Sequence, residues 1–258
     1  MLKFDEKTAE LLEIAYRGGD VARRRRMAVD ALHLSEGDTV IDIGCGNGLL
    51  TEEIARAIGP TGRVIGVDPS EDMRAPASAR CAAFPTVEIE YGLADALPLR
   101  DGEADKAVAV QVLEYLSDIP SAVGEANRVL RAGGRFVAVD TGCNTLDWFS
   151  ENEDRMRRVL DAWDHHYIEP RVAALWPRFA RDAGFVAVEV EPFTFCDVTL
   201  RPDGLAFMLL HLMSRYAAEN GHMSGHETKA WFDEQIDLAR QGRFFFSLTY
   251  YRMSAIKA

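Results

Sequence analysis

The stretch Val40-Ile-Asp-Ile-Gly-Cys-Gly-Asn-Gly48 decides the fold, because an apolar run with one acid leads directly into three alternating glycines. Residues 39 to 43 have the β-branched, nearly continuous apolar character of a strand buried on both faces, and residues 49 to 58 predict the helix that follows. Glycines allow positive φ angles and let a ligand approach the backbone closely, while a helix N-terminus offers unpaired N–H groups and a positive dipole end. The pattern predicts that this turn binds a polar ligand of the nucleoside type.

The spacing of the glycines separates two classes of nucleotide-binding fold. A dinucleotide fold carries G-x-G-x-x-G, and its pyrophosphate rests on the helix N-terminus. This chain carries G-x-G-x-G, and Asp42 stands two residues before the first glycine. A carboxylate at that position would repel a pyrophosphate, but it suits a ligand that carries an ammonium group. The pattern therefore disfavours a nicotinamide oxidoreductase, which is kept as an alternative.

The block from Asp42 to Gly48 resembles the first motif of the class I S-adenosylmethionine-dependent methyltransferases. The resemblance implies that S-adenosylmethionine (SAM) binds at this turn and leaves as S-adenosylhomocysteine (SAH). SAM carries an ammonium group, which agrees with the acid. The implied cofactor contacts from this turn are Asp42, Gly44, Cys45, Gly46, Asn47 and Gly48.

Two further acids follow where that family would have them. Asp68 ends a second apolar strand about 20 residues after the turn, and a carboxylate there can accept hydrogen bonds from both ribose hydroxyls. Asp95 lies in a turn after a third strand, and the resemblance implies that it accepts from the adenine amino group. A lone Asp is more often a helix cap or a turn residue, but the shared order and spacing of these acids favour a cofactor site. The further implied cofactor contacts are Pro69, Met73 against the adenine, Ala94, Ala96, Gln111 after the fourth strand, and Tyr16 in the N-terminal extension.

Strands and helices alternate along the rest of the chain, which is typical of an α/β fold. The resemblance implies a Rossmann-like, mostly parallel sheet of seven strands with helices on both faces, an antiparallel C-terminal edge strand and helical lid insertions. The runs that predict the later strands are 87–91, 104–112, 134–140, 185–191 and 244–254. We expect a single domain made of a helical cap (1–34), a cofactor-binding core (35–142) and two substrate-lid insertions (143–178 and 197–241).

Composition restricts the partners and the compartment. A chain of 258 residues with 48% hydrophobic residues can build one full core, and a formal net charge of −12 argues against a broad surface for DNA or RNA. The basic run at 23–26 lies in a helical stretch that Asp20 can cap, so we interpret it as a solvated helix face.

Cysteine usage and hydropathy point to a soluble protein. The four cysteines contain no CxxC pair, so we expect neither disulfides nor a metal site. The amino terminus has charges where a signal peptide would need an apolar core, and no run approaches the length of a membrane span. The predicted location is the cytoplasm, and the oligomeric state is left open.

The predicted lid segments supply the candidates for substrate binding. Trp148 follows the fifth strand, at the edge where open α/β sheets bind ligands. His211 and Tyr216 are polar groups in the apolar helical segment 203–218, which can line a pocket or form a plain core. His166 lies at the edge of an amphipathic stripe over 151–167, and it is the candidate general base, with a structural histidine as the alternative.

Methyl transfer from a sulfonium is an in-line displacement with a neutral leaving thioether, so the protein mainly positions the reactants and excludes water. A base is needed only if the acceptor loses a proton. The arrangement resembles the methyltransferases of ubiquinone, menaquinone and secondary-metabolite biosynthesis, which implies a small, largely apolar acceptor through O, C, N or S. Cyclisation or elimination at a SAM site without methyl transfer is the main alternative, and a noncatalytic module is disfavoured by the clustered acids.

Overall fold

The computed structural model describes residues 16–258, and these form two compact units. The first, here the sheet unit, comprises residues 25–141, 171–192 and 250–258. The second, here the helical unit, comprises residues 142–170 and 193–249 together with the described residues before 25. The predicted cofactor-binding core falls in the sheet unit, and most of both predicted lid insertions falls in the helical unit.

Parallel strands form the centre of the sheet unit, in the order β3-β2-β1-β4-β5. Their bounds are β1 Thr39–Ile43, β2 Arg63–Val67, β3 Val87–Glu90, β4 Ala104–Val110 and β5 Leu130–Thr141. β1 pairs in parallel with both β2 and β4, so the direction of winding reverses at β1 and β4. This reversal creates the crevice at the carboxyl ends of the strands where open α/β sheets bind ligands.

The C-terminal part of the sheet confirms the predicted antiparallel strand. β8 (Phe246–Lys257) runs antiparallel to β5, and β7 (Phe185–Asp197) pairs with β8. A two-residue strand, β6 (Asp147–Trp148), pairs with the start of β8 and adds an eighth strand to the seven that the sequence predicts. So short a segment carries no periodicity from which a strand could be predicted.

Eight α-helices lie within residues 16–258. Their bounds are α1 Gly19–Leu32, α2 Leu49–Ile58, α3 Glu71–Cys81, α4 Ile119–Val129, α5 Glu153–Asp164, α6 Val172–Asp182, α7 Leu205–Glu219 and α8 Gly225–Arg240. Two short 3-10 helices, Leu113–Tyr115 and Cys143–Thr145, follow β4 and β5. None of these described helices has the length and apolar character that crossing a bilayer requires.

The core of the sheet unit is one apolar cluster that includes α6. Val172, Trp176 and Ala180 repeat at the i, i+4, i+8 spacing of a buried helical stripe, and all three lie in this cluster. The Trp176 ring meets Phe136 of β5 edge-on, with 5.3 Å between ring centroids. Helix α6, which lies partly in the segment predicted as a lid insertion (143–178), belongs to the sheet unit.

The helical unit is held by α5, α7 and α8, which pack against one another. Trp148 contributes to an aromatic cluster with Trp231, Phe244 and Phe246, at centroid distances of 5.2, 6.1 and 4.9 Å. Its indole N–H donates to Gln235 Oε1 at 2.8 Å, so both the ring and its polar atom are used in packing.

The interpretation of the basic run as a solvated face is wrong for two of its four arginines. Arg24 and Arg25 are buried, and Arg25 Nε donates to Glu53 at 2.8 Å. Asp20 lies inside the first turn of α1, where it accepts hydrogen bonds from Arg201 and from the Leu205 N–H at the start of α7. Its partners are distant in sequence, so the local capping pattern could not reveal them.

Candidate cofactor site

Each glycine of the turn after β1 lies in the left-handed region, with φ of 68° at Gly44, 54° at Gly46 and 79° at Gly48. A Cβ added to Gly44 would lie 2.5 Å from Val112 Cγ2, and one added to Gly48 would lie 2.9 Å from the Cα of Ala77. At Gly46 an added Cβ would meet no described atom within 4 Å. The outer two glycines are required by packing, whereas the middle one faces open space.

Asp42 lies in β1, directly before this turn, and is only 1% exposed. Its Oδ2 accepts a hydrogen bond from Thr51 Oγ1 at 2.6 Å, so the first turn of α2 fixes the carboxyl group. Burial raises the pKa of Asp42 to about 7; the Thr51 bond acts in the opposite direction, and the charge of Asp68 adds to the rise. A carboxyl group that titrates near neutrality becomes a strong acceptor when a cation is placed beside it.

Asp68 meets the same turn from the end of β2. Its Oδ2 accepts from the Gly46 N–H at 3.1 Å, and its Oδ1 accepts from the Ser70 N–H at 2.8 Å. Two backbone donors hold the carboxylate in one orientation and leave further lone pairs free of these bonds. The predicted ribose acid and the glycine turn are therefore adjacent.

Helix α3 supports the turn from a third direction. Arg80 Nε donates to the Asn47 carbonyl at 2.9 Å, and the thiol of Cys81 contacts the Gly48 carbonyl at 3.9 Å. Cys45 is buried, and burial raises the pKa of its thiol, so this cysteine is a packing residue of the turn rather than a nucleophile. Arg80 and Cys81 have no place in the sequence motif, and only the fold reveals their contribution.

The third predicted acid lies in the loop after β3. Asp95 is exposed, and Ala94 before it is half-buried. The Ala96 N–H donates to the Leu93 carbonyl at 3.1 Å, which closes a tight turn around Asp95. Met73 lies half-buried on α3, and Pro69 is exposed in the segment that joins β2 to α3. All of these predicted contacts belong to the sheet unit.

Gln111 follows β4 and has a positive φ of 55°, which is uncommon for a residue other than glycine. Its side-chain amide donates to Thr141 Oγ1 at 3.2 Å and to Glu114 Oε1 at 3.3 Å. Backbone strain of this kind concentrates at functional sites. Gln111 lies beside Val112, the residue that packs against Gly44, so it borders the glycine turn.

Two buried acids behind Gln111 were missed in the sequence. Asp140 Oδ1 accepts from the backbone N–H groups of Val112 and Glu114, while Glu114 Oε2 accepts from the Thr141 N–H at 2.7 Å. Asp140 Oδ2 is buried without a hydrogen-bond partner among the described residues. Burial, with the charge of Glu114 as a second cause, raises the pKa of Asp140 well above its usual range. The sequence signal that could have indicated Asp140 is its position directly after the apolar run 136–139, at the carboxyl end of β5.

The other predicted site residues lie in the helical unit. His166 stacks on Trp163 at 3.9 Å, its Nδ1 lies 3.0 Å from the Trp163 carbonyl, and burial lowers the pKa of His166 to about 4. His211 lies between two phenylalanine rings, each 4.8 Å away, and burial lowers its pKa. Tyr216 is buried and meets Trp163 edge-on. Burial raises the pKa of Tyr16, and Arg24 opposes this rise.

Within residues 16–258, no group of three or more His, Cys, Asp or Glu side chains is arranged to hold a metal ion. Trp148 is fully engaged in packing, as described above. For Trp148, His166, His211 and Tyr216 the contact with a substrate stays a prediction.

Known proteins resemble this chain in both sequence and fold. Residues 41–138 match the Methyltransf_11 family, described as a methyltransferase domain. The chain is 34% identical over 186 residues to the demethylmenaquinone methyltransferase of Staphylococcus aureus, across 66% of this chain and 77% of that protein. It is also 34% identical over 239 residues to an uncharacterized 37.1 kDa protein in transposon TN4556 of Streptomyces fradiae. That match covers 90% of this chain, which spans 66% of the length of the relative.

A solved structure shows the same fold at low sequence identity. The YcgJ protein from Bacillus subtilis superposes with a TM-score of 0.62 at 19% identity, covering 92% of this chain and 98% of that chain. Together with the strand order, this likeness defines a Rossmann-like fold, and the acid, the glycine turn and the second acid lie at the point where its winding reverses. The chain belongs to the class I SAM-dependent methyltransferases, in their small-molecule branch.

Proposed function

We propose that this protein transfers a methyl group from SAM to a small, largely apolar metabolite. The observation that carries the proposal is the junction of the glycine turn with Asp42 and Asp68, two oriented acids on either side of a turn with room at Gly46. The relative named demethylmenaquinone methyltransferase supports a small-molecule acceptor. The net charge of −12 supports the same choice, because it disfavours a polyanionic substrate.

Each cofactor contact follows from the chemistry of the group in place. The buried Asp42 carboxylate suits the SAM ammonium, and the Asp68 carboxylate suits the ribose hydroxyls because two backbone donors already fix its orientation. Asp95 is assigned to the adenine amino group and Met73 to the adenine face. The turn from Gly44 to Gly48 is assigned to the methionine moiety through the close approach of its backbone, since the N–H groups of Cys45, Gly46 and Gly48 already donate within the protein.

Bound SAM supplies an electrophilic methyl group on a sulfonium, whose loss leaves the neutral thioether of SAH. The chain's own residues hold the cofactor and exclude water from it. His166 is the proposed general base for an acceptor that loses a proton. Its pKa of about 4 keeps the imidazole neutral at neutral pH, which leaves it able to accept a proton although weakly basic. Trp148, His211 and Tyr216 are proposed for the substrate side.

Calorimetric titration of the purified protein with SAM, SAH and NADH in parallel tests the cofactor before the acceptor is known. We expect micromolar binding of SAM and SAH and no binding of NADH. Binding of NADH alone, or of none of the three, would contradict the proposal. Small apolar phenols, amines and quinols are then screened with methyl-labelled SAM, and the fate of the label is followed. Conversion of an acceptor while SAM stays intact would point to cyclisation or elimination.

A further inference from the structure

We propose that Arg74 is a positioning residue for adenine recognition, because it joins the loop after β2 to the end of β3. This inference rests on the proposed function, in which Asp68 binds the ribose and Asp95 binds the adenine amino group. Arg74 itself is assigned no contact with the cofactor. Its role is to fix the two loops that carry these acids at one separation.

The guanidinium of Arg74 makes three contacts. Nη1 donates to the main-chain carbonyl of Asp68 at 2.8 Å, so it holds the backbone of the ribose acid. The guanidinium carbon lies over the ring of Tyr91, 5.4 Å from its centroid, and Nη2 pairs with Glu71 of the same helix. The Arg74 side chain is only 16% exposed, which is unusual for an arginine on a surface helix.

The loop that carries Asp95 is anchored at both ends. At its far end, the Leu97 N–H donates to Glu125 at 2.9 Å, and the Leu97 carbonyl accepts from Arg128 at 3.1 Å. At its near end, a Cβ added to Gly92 would lie 3.2 Å from the Cβ of Val67, so the backbone after β3 passes close to the end of β2.

Tyr91 is the side chain at this near end, and it is 62% exposed. Because the ring is so open to water, the cation–π contact with Arg74 adds a side-chain restraint at this end of the loop. Exposed cation–π pairs and ion pairs add little to global stability. We therefore assign the contacts of Arg74 with Tyr91 and with the Asp68 carbonyl to local geometry, namely the separation of Asp68 from Asp95.

The separation of Asp68 from Asp95 should determine how well the protein distinguishes adenine from a base that lacks its amino group. A hydrogen bond to a charged acceptor is strong only when the donor–acceptor distance lies within a few tenths of an ångström of its optimum. If Arg74 is lost, the backbone bond from the Asp68 N–H to the Glu90 carbonyl at 3.2 Å remains, but the side-chain restraint on the start of the Asp95 loop is removed. We expect Asp95 then to shift slightly against the ribose acid. Affinity that depends on the adenine amino group is then lost selectively, while contacts to the methionine moiety remain.

The test compares two ligands of the full-length protein, SAH and S-inosylhomocysteine, in which an oxo group replaces the adenine amino group. We expect the wild type to prefer SAH by about tenfold or more, because the group assigned to Asp95 changes from a donor amino group to an acceptor oxo group, and the ring N–H beside it is displaced from that position. Arg74→Ala should reduce this preference to below about threefold, and Arg74→Lys should restore part of it, since lysine keeps a cation but loses the fork geometry. Asp95→Ala defines the preference without the adenine contact.

A matched control is available on α2. Arg56 also stacks over an aromatic ring, that of Phe84 at 5.0 Å, and pairs with a glutamate of its own helix, Glu52 at 2.6 Å. Arg56→Ala removes the same two interactions away from the cofactor loops, so it should leave the preference for SAH unchanged. Tyr91→Phe should behave as the wild type, and Tyr91→Ser should behave as Arg74→Ala.

The possible results distinguish the role of Arg74 from the proposed cofactor assignment on which it rests. An unchanged preference in Arg74→Ala, or an equal loss of affinity for both ligands, would overturn the positioning role. A wild type that binds neither ligand, or an Asp95→Ala variant with full preference for SAH, would instead overturn the adenine assignment and the inference together. A selective loss in Arg74→Ala and Tyr91→Ser, with none in Arg56→Ala, supports it.

Discussion

Cofactor binding should depend on pH through the carboxyl group of Asp42. Its pKa is raised from 3.8 to about 7 in the free protein. A bound ammonium group favours the carboxylate and lowers this pKa again. Binding below pH 7 must therefore release a proton from Asp42, and the free energy needed to ionise this carboxyl group makes the free energy of binding less favourable. The affinity should rise with pH and level off above the pKa of Asp42.

The size of the effect follows from the pKa. If the bound group stays ionised throughout, each unit of pH below about 7 weakens binding about tenfold, which is about 1.4 kcal/mol. Between pH 6 and pH 7.5 the dissociation constant of SAH should fall by roughly eightfold to tenfold. The number of protons released on binding should be about 0.9 at pH 6 and about 0.5 at pH 7.

Isothermal titration calorimetry measures both quantities, since proton release is obtained from buffers of different ionisation enthalpy. Asp42→Asn keeps an acceptor for Thr51 but cannot ionise, so its affinity should be independent of pH over this range. Thr51→Val removes a hydrogen bond that favours the carboxylate, and the midpoint should move to higher pH. A change of less than about twofold in the wild type, or an equal slope in Asp42→Asn, would refute the reasoning.

Substitutions at Asp68, Gly44, Gly46 and His166 test other parts of the site. Asp68→Ala should weaken SAH binding by about an order of magnitude or more, since two hydrogen bonds to a charged acceptor are lost; calorimetry at pH 7.5 measures it, and unchanged affinity would remove the ribose assignment. Gly44→Ala should destabilise the fold by about 1–3 kcal/mol in urea unfolding, because its Cβ meets Val112 in a left-handed conformation, and Val112→Ala should recover part of the loss. Gly46→Ala should be milder in the same assay, since only the backbone conformation is penalised. His166→Ala should lower turnover without changing SAH affinity, and equal turnover would leave this histidine with a structural role only.

The parts of the fold that the sequence predicts well are those fixed by local patterns. The bounds of β1 and α2 agree with the prediction to the residue, because an apolar run, a glycine turn and an amphipathic helix are all determined within a few positions. The adjacency of Asp68 and the turn is likewise implied, since both follow parallel neighbouring strands.

Tertiary context decided the rest. The apolar stripe of α6 is equally suited to a lid or a core, and only packing against Phe136 assigns it to the sheet unit. Arg24 and Arg25 are charged, so pattern alone placed them in solvent, although burial beside an acid partner such as Glu53 is also stable. The roles of Asp140 and Glu114 could not be predicted from the sequence, because each carboxyl group accepts a hydrogen bond from a backbone N–H that is far away in sequence.

Asp140 and Glu114 couple the loops after β4 and β5 to each other. Asp140 holds the backbone after β4, and Glu114 holds the backbone after β5, so each loop supplies the side chain that shapes the other. A graft that replaced Glu114 alone would leave the Thr141 N–H without its acceptor, and a graft that replaced Asp140 alone would leave the N–H groups of Val112 and Glu114 without theirs. In chimeras with other members of the family, residues 111–115 and 140–141 should therefore be exchanged together or both left in place.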